Sequence, residues 1–503
     1  MTVIRGKAVP LMVQGTHSDS GKSIFVTALC RIFANEGMAV APFKSQNMAL
    51  NSYITNDGLE IGRAQGIQAE AAGVEASVHM NPILIKPSGD MKSQIVLHGK
   101  PYRNMKAMAY RQEFYEKGLQ AISESFSILA NEYDCIVIEG AGSPAEINLN
   151  DRELVNMRLA RLVDAPVILV GDIDRGGVFA SLVGTLQLLP EEDRHRVKGV
   201  VINKFRGDVA LLQPGLDWFE EYTGVPVLGV IPYLSNLEID GEDSLILDQY
   251  SNGGTNDEGD IDIAVIAHPT FSNFTDIDPL RLEIDCNIRF VKKASQLGNP
   301  DMIILPGTKN TAYAMQYIED TGLAERIVKL AEKGTYVFGI CGGFQMLGEE
   351  IHDPEEVESE VTKMEGLKLL PVVTEMKAEK KTVVSKGYSD CLDNGSSPLK
   401  GYEVHMGHAD VLQPIKHFAI LNGEKEGCCT DGGKVIGTYL HNVFHNDDFR
   451  RNYLNGIRAA KGLPAIERTL HIEELKAKEY ERLAEHVKQH INMKKVYELI
   501  KRG

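Results

Sequence analysis

The chain has 503 residues, of which 43% are hydrophobic, so its length and composition predict two to three domains with large cores. Its formal net charge of −17 argues against nucleic acid or an anionic membrane surface as a partner of the whole protein. Seven cysteines show no C-x-x-C spacing, no stretch reaches about 18 uninterrupted apolar residues, and the N terminus shows no signal-peptide pattern. We therefore expect a cytoplasmic protein without disulfides, a zinc site or a membrane span.

The first predicted strand, VPLMVQG at 9–15, leads into a loop that ends in Gly21-Lys22-Ser23 and then into the helical segment IFVTALCRIF. In a P-loop, backbone N–H groups hold phosphate oxygens, the lysine contacts the transferred phosphoryl group and the hydroxyl ligates Mg²⁺. The loop begins at Gly15-Thr16, one residue earlier than in G-x-x-x-x-G-K-[ST]. An ordinary helix cap would explain a bare Gly-Lys-Ser, but the strand before it and the helix after it favour an ATP site.

Later apolar segments of the N-terminal half carry polar residues at or after their ends. Lys44 ends APFK, where it could meet a phosphate or a carboxylate, and Asp57 follows in NSYITNDGLEIGRAQ. Glu139 ends CIVIE beside a glycine turn, where a carboxylate for Mg²⁺ is expected. Asn203 ends GVVIN and could contact the adenine edge. Each residue alone is compatible with a turn or a cap, but together their order and positions favour binding of ATP with Mg²⁺.

The segment DIDRGGVFA, at 172–180, ends another predicted strand and continues into a turn. Its two glycines permit close approach of the backbone to a ligand, and Asp174 and Arg175 could bind a carboxylate group. A structural turn after a strand explains each of these residues equally well when it is taken alone.

The pattern of apolar runs predicts the fold class. Runs that are apolar at consecutive positions are typical of strands covered on both faces of a parallel α/β sheet, and they occur at 9–15, 38–44, 135–142, 165–174, 199–204 and 225–233. A polar segment predicts a linker at 248–260. A second series of strands follows at 261–269, 301–308, 335–343, 369–377, 400–408 and 434–441. We predict two doubly wound α/β domains, at 1–247 and 261–450, and a C-terminal helical appendage at 451–503.

In the second series, FGICGGFQMLG places Cys341 between a predicted strand and a predicted helix. Small residues on both sides let the chain turn sharply, as in a nucleophile elbow, and a helix N terminus favours the thiolate form of cysteine. The backbone N–H of Gly342 is a natural oxyanion donor, and a second donor could come from LPGTKN, at Gly307 or Thr308. A lone cysteine is most often a small buried hydrophobic residue, but the flanking glycines favour a catalytic nucleophile.

A thiol nucleophile needs a base, and VIGTYLHNVFHND offers His441 at the end of an apolar strand. A strand end in such a domain faces the active site, so we prefer His441 to His445, which suits a surface position or the start of a helix. His405 and His408, in GYEVHMGH, are weaker candidates.

Both halves resemble known enzymes. The P-loop G-T-x-x-x-x-G-K-[ST], followed in order by Lys44, Asp57 and Glu139, resembles that of dethiobiotin synthetase-like enzymes. Such enzymes transfer a phosphoryl group from ATP to a carboxylate or carbamate. The cysteine elbow, the strand-end histidine and the PG turn resemble a class I glutamine amidotransferase, in which Cys341 would form a γ-glutamyl thioester and release ammonia.

One departure from the amidotransferase pattern concerns the histidine. Such enzymes carry a glutamate two residues after it, whereas this chain has His441-Asn442-Val443. We therefore predict a dyad of Cys341 and His441, with His441 oriented by a backbone carbonyl, a neutral side chain or water. Glu403 is the first residue to test for a hidden carboxylate.

Together the two halves resemble the cobyric acid synthase family of cobalamin biosynthesis along nearly the whole chain. The segments that carry the likeness include GTHSDSGKS, KSQNMALNSYITNDGLEIGRAQ, INLNDRELVNMRLA, GDIDRGGVFASLVGT, LPGTKNT, GICGGFQMLG and GYEVHMGH. The resemblance implies that ATP, glutamine and water are used to amidate the b, d, e and g carboxylates of a corrinoid, adenosylcobyrinic acid a,c-diamide.

The resemblance also implies roles for individual residues. Cys341 becomes the nucleophile and His441 its partner, and the loop at 15–23, with Lys22 and Ser23, becomes the ATP site. By analogy with dethiobiotin synthetase, Asp57 and Glu139 join Ser23 as candidate Mg²⁺ ligands. The segment at 172–180 is expected to line the corrin and phosphate side of the site.

Three other functions compete with this interpretation. Cobyrinic acid a,c-diamide synthase shares both domains but acts on other carboxylates, and the segments DIDRGGVFA and QNMALNS argue against it. A P-loop partition or assembly ATPase has no use for a glutaminase elbow, so Cys341 discriminates against that class. A binding module with inactive sites is disfavoured by the presence of Lys22, Cys341 and His441.

Overall fold

The computed structural model describes residues 3–4, 6–87, 92–238, 259–393 and 395–501. These residues form two compact units. Unit 1 contains the described residues up to 238 together with those from Glu473 onward, and unit 2 contains those from 259 to Ile472. Residues 248–258 of the predicted linker lie outside the described residues.

Strands and helices alternate through most of the chain. The strands are β1 Val9–Gly15, β2 Val40–Phe43, β3 Gln46–Met48, β4 Ser52–Ile54, β5 Glu60–Gly62, β6 Ile83–Pro87, β7 Lys92–Leu97, β8 Lys100–Lys106, β9 Cys135–Glu139, β10 Val167–Asp172, β11 Val197–Phe205, β12 Val227–Pro232, β13 Ile261–Ile266, β14 Cys286–Val291, β15 Met302–Leu305, β16 Tyr336–Ile340, β17 Glu350–His352, β18 Lys363–Glu365, β19 Val372–Ser389, β20 Ser397–Val411, β21 Ala419–Leu421, β22 Glu424–Glu426, β23 Cys428–Cys429, β24 Val435–Thr438 and β25 Leu440–His441. The α-helices are α1 Lys22–Asn35, α2 Arg63–Ala72, α3 Ala107–Ala109, α4 Tyr115–Glu132, α5 Met157–Leu162, α6 Val178–Leu188, α7 Glu191–Arg194, α8 Val209–Thr223, α9 Asp278–Arg281, α10 Ala294–Leu297, α11 Thr311–Asp320, α12 Leu323–Glu332, α13 Gly342–Leu347, α14 Asp447–Ala460, α15 Ile472–His490 and α16 Met493–Ile500. Short 3₁₀ turns include Phe274–Ile277 and Val443–His445.

The main sheet of unit 1 is parallel, with strand order β12-β11-β10-β1-β9-β2. Alternate residues of its central strands belong to two separate cores: Met12 packs into one, and Leu11 and Val13 pack into the other. This alternation follows from the two-residue period of a strand, and it leaves both faces apolar. The predicted parallel α/β sheet is therefore confirmed, and the carboxyl ends of its strands meet at one edge.

Unit 2 has a second parallel sheet, of order β14-β13-β15-β16-β24, with the short strand β23 added antiparallel at its edge. Beside it lies a mostly antiparallel sheet built on the long strands β19 and β20, to which β25 pairs. The second α/β domain of the prediction is thus also present. Strand β25 brings the chain from the parallel sheet to the antiparallel one, directly before the 3₁₀ turn that contains His445.

The C-terminal segment divides between the two units. Helix α14 belongs to unit 2, whereas the residues from Glu473 onward, with most of α15 and all of α16, pack in unit 1. The segment predicted as one appendage at 451–503 therefore contributes to two different cores. Among the residues described, no helix combines the length and the hydropathy needed to cross a bilayer.

Candidate functional site

Cys341 lies at a sharp turn between the buried strand β16 and helix α13. Its backbone has φ 53° and ψ −109°, a conformation that non-glycine residues rarely adopt and that the surrounding structure must enforce. A Cβ atom on Gly343 would lie 1.9 Å from the carbonyl oxygen of Leu305, so only glycine fits there. The thiol is buried, and its Sγ lies 3.7 Å from the carbonyl oxygen of Val404. The predicted nucleophile elbow is therefore present as a strand, a strained residue and a helix N terminus.

His441 lies in β25, opposite Tyr402 of β20, and is completely buried. Its Nδ1 lies 2.7 Å from Oδ2 of Asp276, which is also buried. The other carboxylate oxygen of Asp276 accepts a hydrogen bond of 2.7 Å from the backbone N–H of Asn442. The prediction that His441 has no carboxylate partner is therefore wrong, because an aspartate from the 3₁₀ turn Phe274–Ile277 supplies one.

The pKa of His441 depends on two neighbouring side chains, Asp276 and Cys341. Burial alone would lower the pKa of His441, but the charge and hydrogen bond of Asp276 and a hydrogen bond with the Cys341 thiol raise it to about 10. The imidazole is therefore held in its charged form at neutral pH, between a carboxylate and a thiol. Tyr402 stacks on the ring, with centroids 5.1 Å apart, and fixes its plane.

Glu403, the residue that we singled out as a possible carboxylate partner of His441, binds other side chains. Its Oε2 lies 2.7 Å from Nζ of Lys381, its Oε1 accepts a 2.6 Å hydrogen bond from Ser385, and Oε2 is also 3.4 Å from Nε2 of His405. Burial raises the pKa of Glu403, but these hydrogen bonds outweigh burial and lower it to about 2. His405 in turn stacks on Tyr439, and its Nδ1 donates a hydrogen bond to the carbonyl oxygen of Gly407. These contacts engage His405 with other partners, so it is a weaker candidate than His441 for the base that acts on Cys341.

The remaining predicted residues of this site take distinct places. Gly307 lies against His441, since a Cβ atom there would be 3.2 Å from Cε1 of the imidazole. Gly342 lies against Thr308, whose Cγ2 would be 2.2 Å from an added Cβ. Both predicted oxyanion segments therefore border the elbow. His408 is exposed and lies 3.5 Å from Asp410, and His445 lies in the following 3₁₀ turn.

The P-loop of unit 1 joins β1 to α1. Gly21 has φ 94°, a conformation suited to glycine, and a Cβ on Gly15 would lie 2.2 Å from Oγ of Ser20. Lys22 is buried, and its Nζ donates to the carbonyl oxygens of His17, at 2.9 Å, and Gly142, at 3.2 Å. The lysine thus folds over the loop, where it can reach a bound phosphate. Thr16 continues β1 through a hydrogen bond from its N–H to the carbonyl oxygen of Val170.

Glu139 connects three polar side chains beside this loop. Its Oε1 accepts hydrogen bonds from Ser23, at 2.8 Å, and Lys44, at 2.9 Å, while its Oε2 accepts one of 2.6 Å from Gln68. Burial raises the pKa of Glu139, but the Lys44 charge and these three hydrogen bonds lower it below its usual value. The carboxylate is therefore ionised. A hydroxyl and an ionised carboxylate beside a phosphate loop form a donor set that suits Mg²⁺.

Asp57, the other predicted metal ligand, lies on the exposed turn between β4 and β5, where its carboxylate accepts a hydrogen bond from Oγ1 of Thr55. Within the described ranges, no group of three or more His, Cys, Asp or Glu side chains could hold a metal ion. The structure thus shows direct contact between Ser23 and Glu139, and the role of Asp57 stays a prediction.

Asn203 borders the loop from β11. Its Nδ2 donates a 3.0 Å hydrogen bond to the carbonyl oxygen of Ser20, and a Cβ on Gly21 would lie 2.0 Å from that nitrogen. Lys204, the next residue, donates to Asp172 at 2.8 Å and to the backbone carbonyl of Asp19. The strand ends of β10 and β11 therefore fix the P-loop through side chains.

Asp174 and Arg175 lie at the surface of the same edge. Asp174 Oδ1 is 3.2 Å from Nε of Arg206, and Arg175 is 3.4 Å from Asp19 Oδ2. Both side chains are about half exposed, at 47% and 59%. They are accessible to a substrate that approaches the P-loop, and their ion pairs within the protein also agree with the alternative of a structural turn.

Beside Gly21 lies a partly open pocket of about 160 Å³ with mainly apolar walls. Its polar liners are Asn203, Lys204, Tyr233 and His486. A mainly apolar pocket next to a phosphate-binding loop is a suitable environment for a purine base.

Sequence reasoning missed three residues of these sites: Asp276, Asp172 and Gln68. Asp172 ends β10 as Glu139 ends β9, so the strand-end argument could have found it. Gln68 lies inside α2, where nothing in the local pattern distinguishes it. Asp276 is 165 residues from His441, and the only signal near it is the segment HPTFSNFTDID, at 268–278, which follows β13 and is rich in polar residues.

Comparison with known proteins adds the family. The profile of the CobQ/CobB/MinD/ParA nucleotide binding domain matches residues 11–246, and that of the CobB/CobQ-like glutamine amidotransferase domain matches residues 262–449. Cobyric acid synthase of Geobacillus sp. (strain WCH70) is 58% identical over 493 residues, which cover 98% of each chain. The corresponding protein of Thermoanaerobacter sp. (strain X514) is 51% identical, over 98% of this chain and 99% of its own length.

A third relative, the cobyric acid synthase of Streptococcus sanguinis (strain SK36), is 50% identical over 98% of this chain and 99% of its own length. These likenesses run through both units, including the P-loop edge and the cysteine elbow. The chain therefore belongs to the cobyric acid synthase family of amide-forming ligases, which join a nucleotide-binding domain to a glutamine amidotransferase domain.

Proposed function

We propose that this enzyme uses ATP and glutamine to amidate the b, d, e and g carboxylates of adenosylcobyrinic acid a,c-diamide, which yields adenosylcobyric acid. The observation that carries the proposal is that one chain contains two groups of side chains in contact, each of which suits one half of this chemistry. One is a Cys341–His441–Asp276 constellation at a nucleophile elbow, and the other is a P-loop whose Ser23 meets an ionised Glu139.

In the glutaminase half-reaction, the Cys341 thiolate attacks the side-chain amide carbon of glutamine. The N–H groups of Gly342 and Gly307 stabilise the oxyanion that forms, and the protonated His441 gives its proton to the departing ammonia. A γ-glutamyl thioester remains on Cys341, and water, deprotonated by the now neutral His441, hydrolyses it to glutamate. Asp276 keeps Nδ1 protonated, so that Nε2 is the nitrogen that exchanges protons.

In the synthetase half-reaction, a corrin carboxylate attacks the γ-phosphorus of ATP, which gives an acyl phosphate and ADP. Ammonia then attacks the acyl carbon, which gives the amide and releases phosphate. Lys22 and the N–H groups of the P-loop neutralise charge on the phosphoryl oxygens as the bond to ADP breaks. Ser23 and Glu139 are the residues that would hold Mg²⁺, which supplies further charge neutralisation at the phosphates when bound.

Substrate carboxylates are proposed to approach along the edge that carries Arg175. This guanidinium is half exposed, and its present ion pair with Asp19 is long, at 3.4 Å. A carboxylate of the substrate could replace Asp19 as its partner and form a bidentate pair, and the two glycines that follow, Gly176 and Gly177, would leave the backbone open to a bulky ligand. Asn203 and the pocket beside Gly21 would take the adenine base of ATP.

The test is to incubate the protein with ATP, Mg²⁺, glutamine and the corrin diamide and to analyse the corrinoids by mass spectrometry. Four successive products are expected, each with one carboxyl OH replaced by NH₂. With ¹⁸O in the substrate carboxylates, the acyl-phosphate route transfers one labelled oxygen to phosphate for every amide formed. An unchanged corrinoid would exclude the substrate, and amides formed without label in phosphate would exclude the acyl phosphate.

A further inference from the structure

The pocket beside Gly21 has a wall that the rest of the P-loop domain does not supply. Its lining includes Ile24 and Phe25 of the P-loop helix α1, and Tyr233. It also includes Leu483, His486 and Val487, which belong to α15 near the C terminus of the chain. All of these residues lie in unit 1.

Helix α15 is fixed to the nucleotide domain by its buried face. Leu483 and Val487 are 2% and 1% exposed and lie in the same core as Leu11 and Val13 of β1. Directly after the helix, Ile491 forms an antiparallel bridge to Gly229 of β12. The packing is therefore that of a permanent element of the domain, because burial of such side chains contributes substantially to stability.

Polar contacts also join α15 to the two other elements that line the pocket, α1 and the end of β12. On the α1 side, Arg31 Nε donates to Glu481 at 2.9 Å, and Lys488 lies 3.1 Å from Glu36. On the side of the segment after β12, Nε2 of His486 donates a 2.9 Å hydrogen bond to the carbonyl oxygen of Pro232. The helix thus spans from α1, whose N terminus carries Lys22 and Ser23, to the loop that carries Tyr233.

We propose that α15 is part of the nucleotide site and that it forms the outer wall of the purine-base pocket, so that ATP affinity depends on residues the chain supplies only after the amidotransferase domain. The proposal rests on the proposed ATP-binding function of the P-loop. The pocket adjoins the phosphate loop and its walls are mainly apolar, and a planar base gains affinity by lying between such walls. The ribose and phosphates then extend toward Gly21 and Lys22.

The test compares two ligands in two matched variants. His486→Trp places a large side chain in the pocket, whereas Gln489→Trp adds the same side chain to an exposed position one turn later. Dissociation constants are measured by calorimetry for Mg-ATP and for inorganic triphosphate with Mg²⁺. We expect His486→Trp to weaken ATP binding by roughly tenfold or more, because the indole ring occupies the space that the base would take, while triphosphate binds as in the unaltered protein. Gln489→Trp should change neither affinity.

Two results would overturn the proposal, and a third would overturn the ATP-binding function on which it rests. Unchanged ATP affinity in folded His486→Trp overturns the proposal, as does equal weakening of ATP and triphosphate, which would place the effect on the loop. If triphosphate and ATP bind to none of the proteins, the P-loop function itself fails.

A second measurement covers the case that His486→Trp does not fold. Hydrogen–deuterium exchange of the unaltered protein should show slower exchange of the amides at 480–490 with ATP than with triphosphate. Equal exchange with the two ligands contradicts contact between α15 and the base.

Discussion

At the glutaminase site, the Nδ1 atom of His441 lies 2.7 Å from a carboxylate oxygen of Asp276, and both side chains are almost completely buried. A buried carboxylate in this position fixes the tautomer and stabilises the imidazolium. The class I pattern places this carboxylate two residues after the histidine, where this chain has Val443. Here a different part of the chain, the turn after β13, supplies the same interaction.

Replacement of this carboxylate should therefore slow glutamine hydrolysis. In a serine protease, loss of the aspartate costs about 10⁴ in rate, and a thiol, which ionises more readily than a hydroxyl, needs less help. We expect Asp276→Asn to lower kcat for glutamine hydrolysis by about a hundredfold or more, with little change in KM. Asp278→Asn, two residues later, is the matched control. Near-normal kcat in folded Asp276→Asn, together with a large loss in Glu403→Gln, would show that the wrong carboxylate has been assigned.

The same contact predicts the pH dependence of hydrolysis. The pKa of His441 is raised to about 10 by Asp276 and Cys341, although burial acts in the opposite direction. In the proposed mechanism the imidazolium donates a proton to the departing ammonia, so kcat/KM, which reports the pKa values of the free enzyme, should stay level through neutral pH and fall as pH approaches 10. In Asp276→Asn the falling limb should move to lower pH. A limb that stays in place in the variant contradicts the role of Asp276.

The raised pKa also has a consequence for stability. A group whose pKa is higher in the folded than in the unfolded protein stabilises the fold fully below the unfolded pKa, near 6.5, and loses that contribution as pH rises through the folded value. The contribution of His441 to the free energy of unfolding of unit 2 should therefore decline between about pH 6.5 and 10.

At the scale of elements, helix α14 is fixed in unit 2 by buried arginines. Arg450 is fully buried, with its Nε 2.7 Å from Glu283 and its Nη1 2.8 Å from the carbonyl oxygen of Phe444. Arg451 lies 3.0 Å from Asp285 in the same cluster. Removal of one partner leaves a buried charge without compensation, which is far more costly than loss of an exposed pair.

We expect Arg450→Leu to lower the free energy of unfolding by about 3–5 kcal/mol, because Glu283 then loses one of its cationic partners in the interior. Lys329→Ala, which breaks an exposed pair with Glu325, should leave stability almost unchanged. Urea denaturation followed by circular dichroism measures both variants. Equal stability of Arg450→Leu and the unaltered protein would mean that the arginine cluster does not hold α14.

Prediction from sequence succeeded where the signal was local. Consecutive apolar residues and glycine turns identified both parallel sheets, the P-loop at 15–23 and the elbow at Cys341, because each depends on a few neighbouring residues. It failed for Asp276, since a carboxylate that meets His441 from 165 residues away leaves no spacing to recognise. The core against which α15 packs could not be predicted either, because an amphipathic pattern indicates that a helix has a buried face but not which core covers that face.

At the scale of the whole molecule, the two proposed sites lie in different units. A substitution in one site should therefore remove the activity of that site and leave the other activity in place. Cys341→Ala should abolish amidation with glutamine but keep amidation with a high concentration of ammonium. Lys22→Ala should lose amidation with either nitrogen source, by on the order of a hundredfold or more, because the proposed acyl phosphate would not form. Product analysis by mass spectrometry measures both. Failure of ammonium to rescue folded Cys341→Ala contradicts the separation of the two sites.

The central claim is that one chain moves the amide nitrogen of glutamine onto corrin carboxylates at the expense of ATP. The most direct test supplies the protein with ATP, Mg²⁺, the corrin diamide and glutamine labelled with ¹⁵N in its side-chain amide, and determines the isotope content of the corrinoid by mass spectrometry. We predict that every new amide carries ¹⁵N and that none forms when ATP is omitted. A corrinoid that gains no ¹⁵N while glutamine and ATP are both hydrolysed would contradict the account.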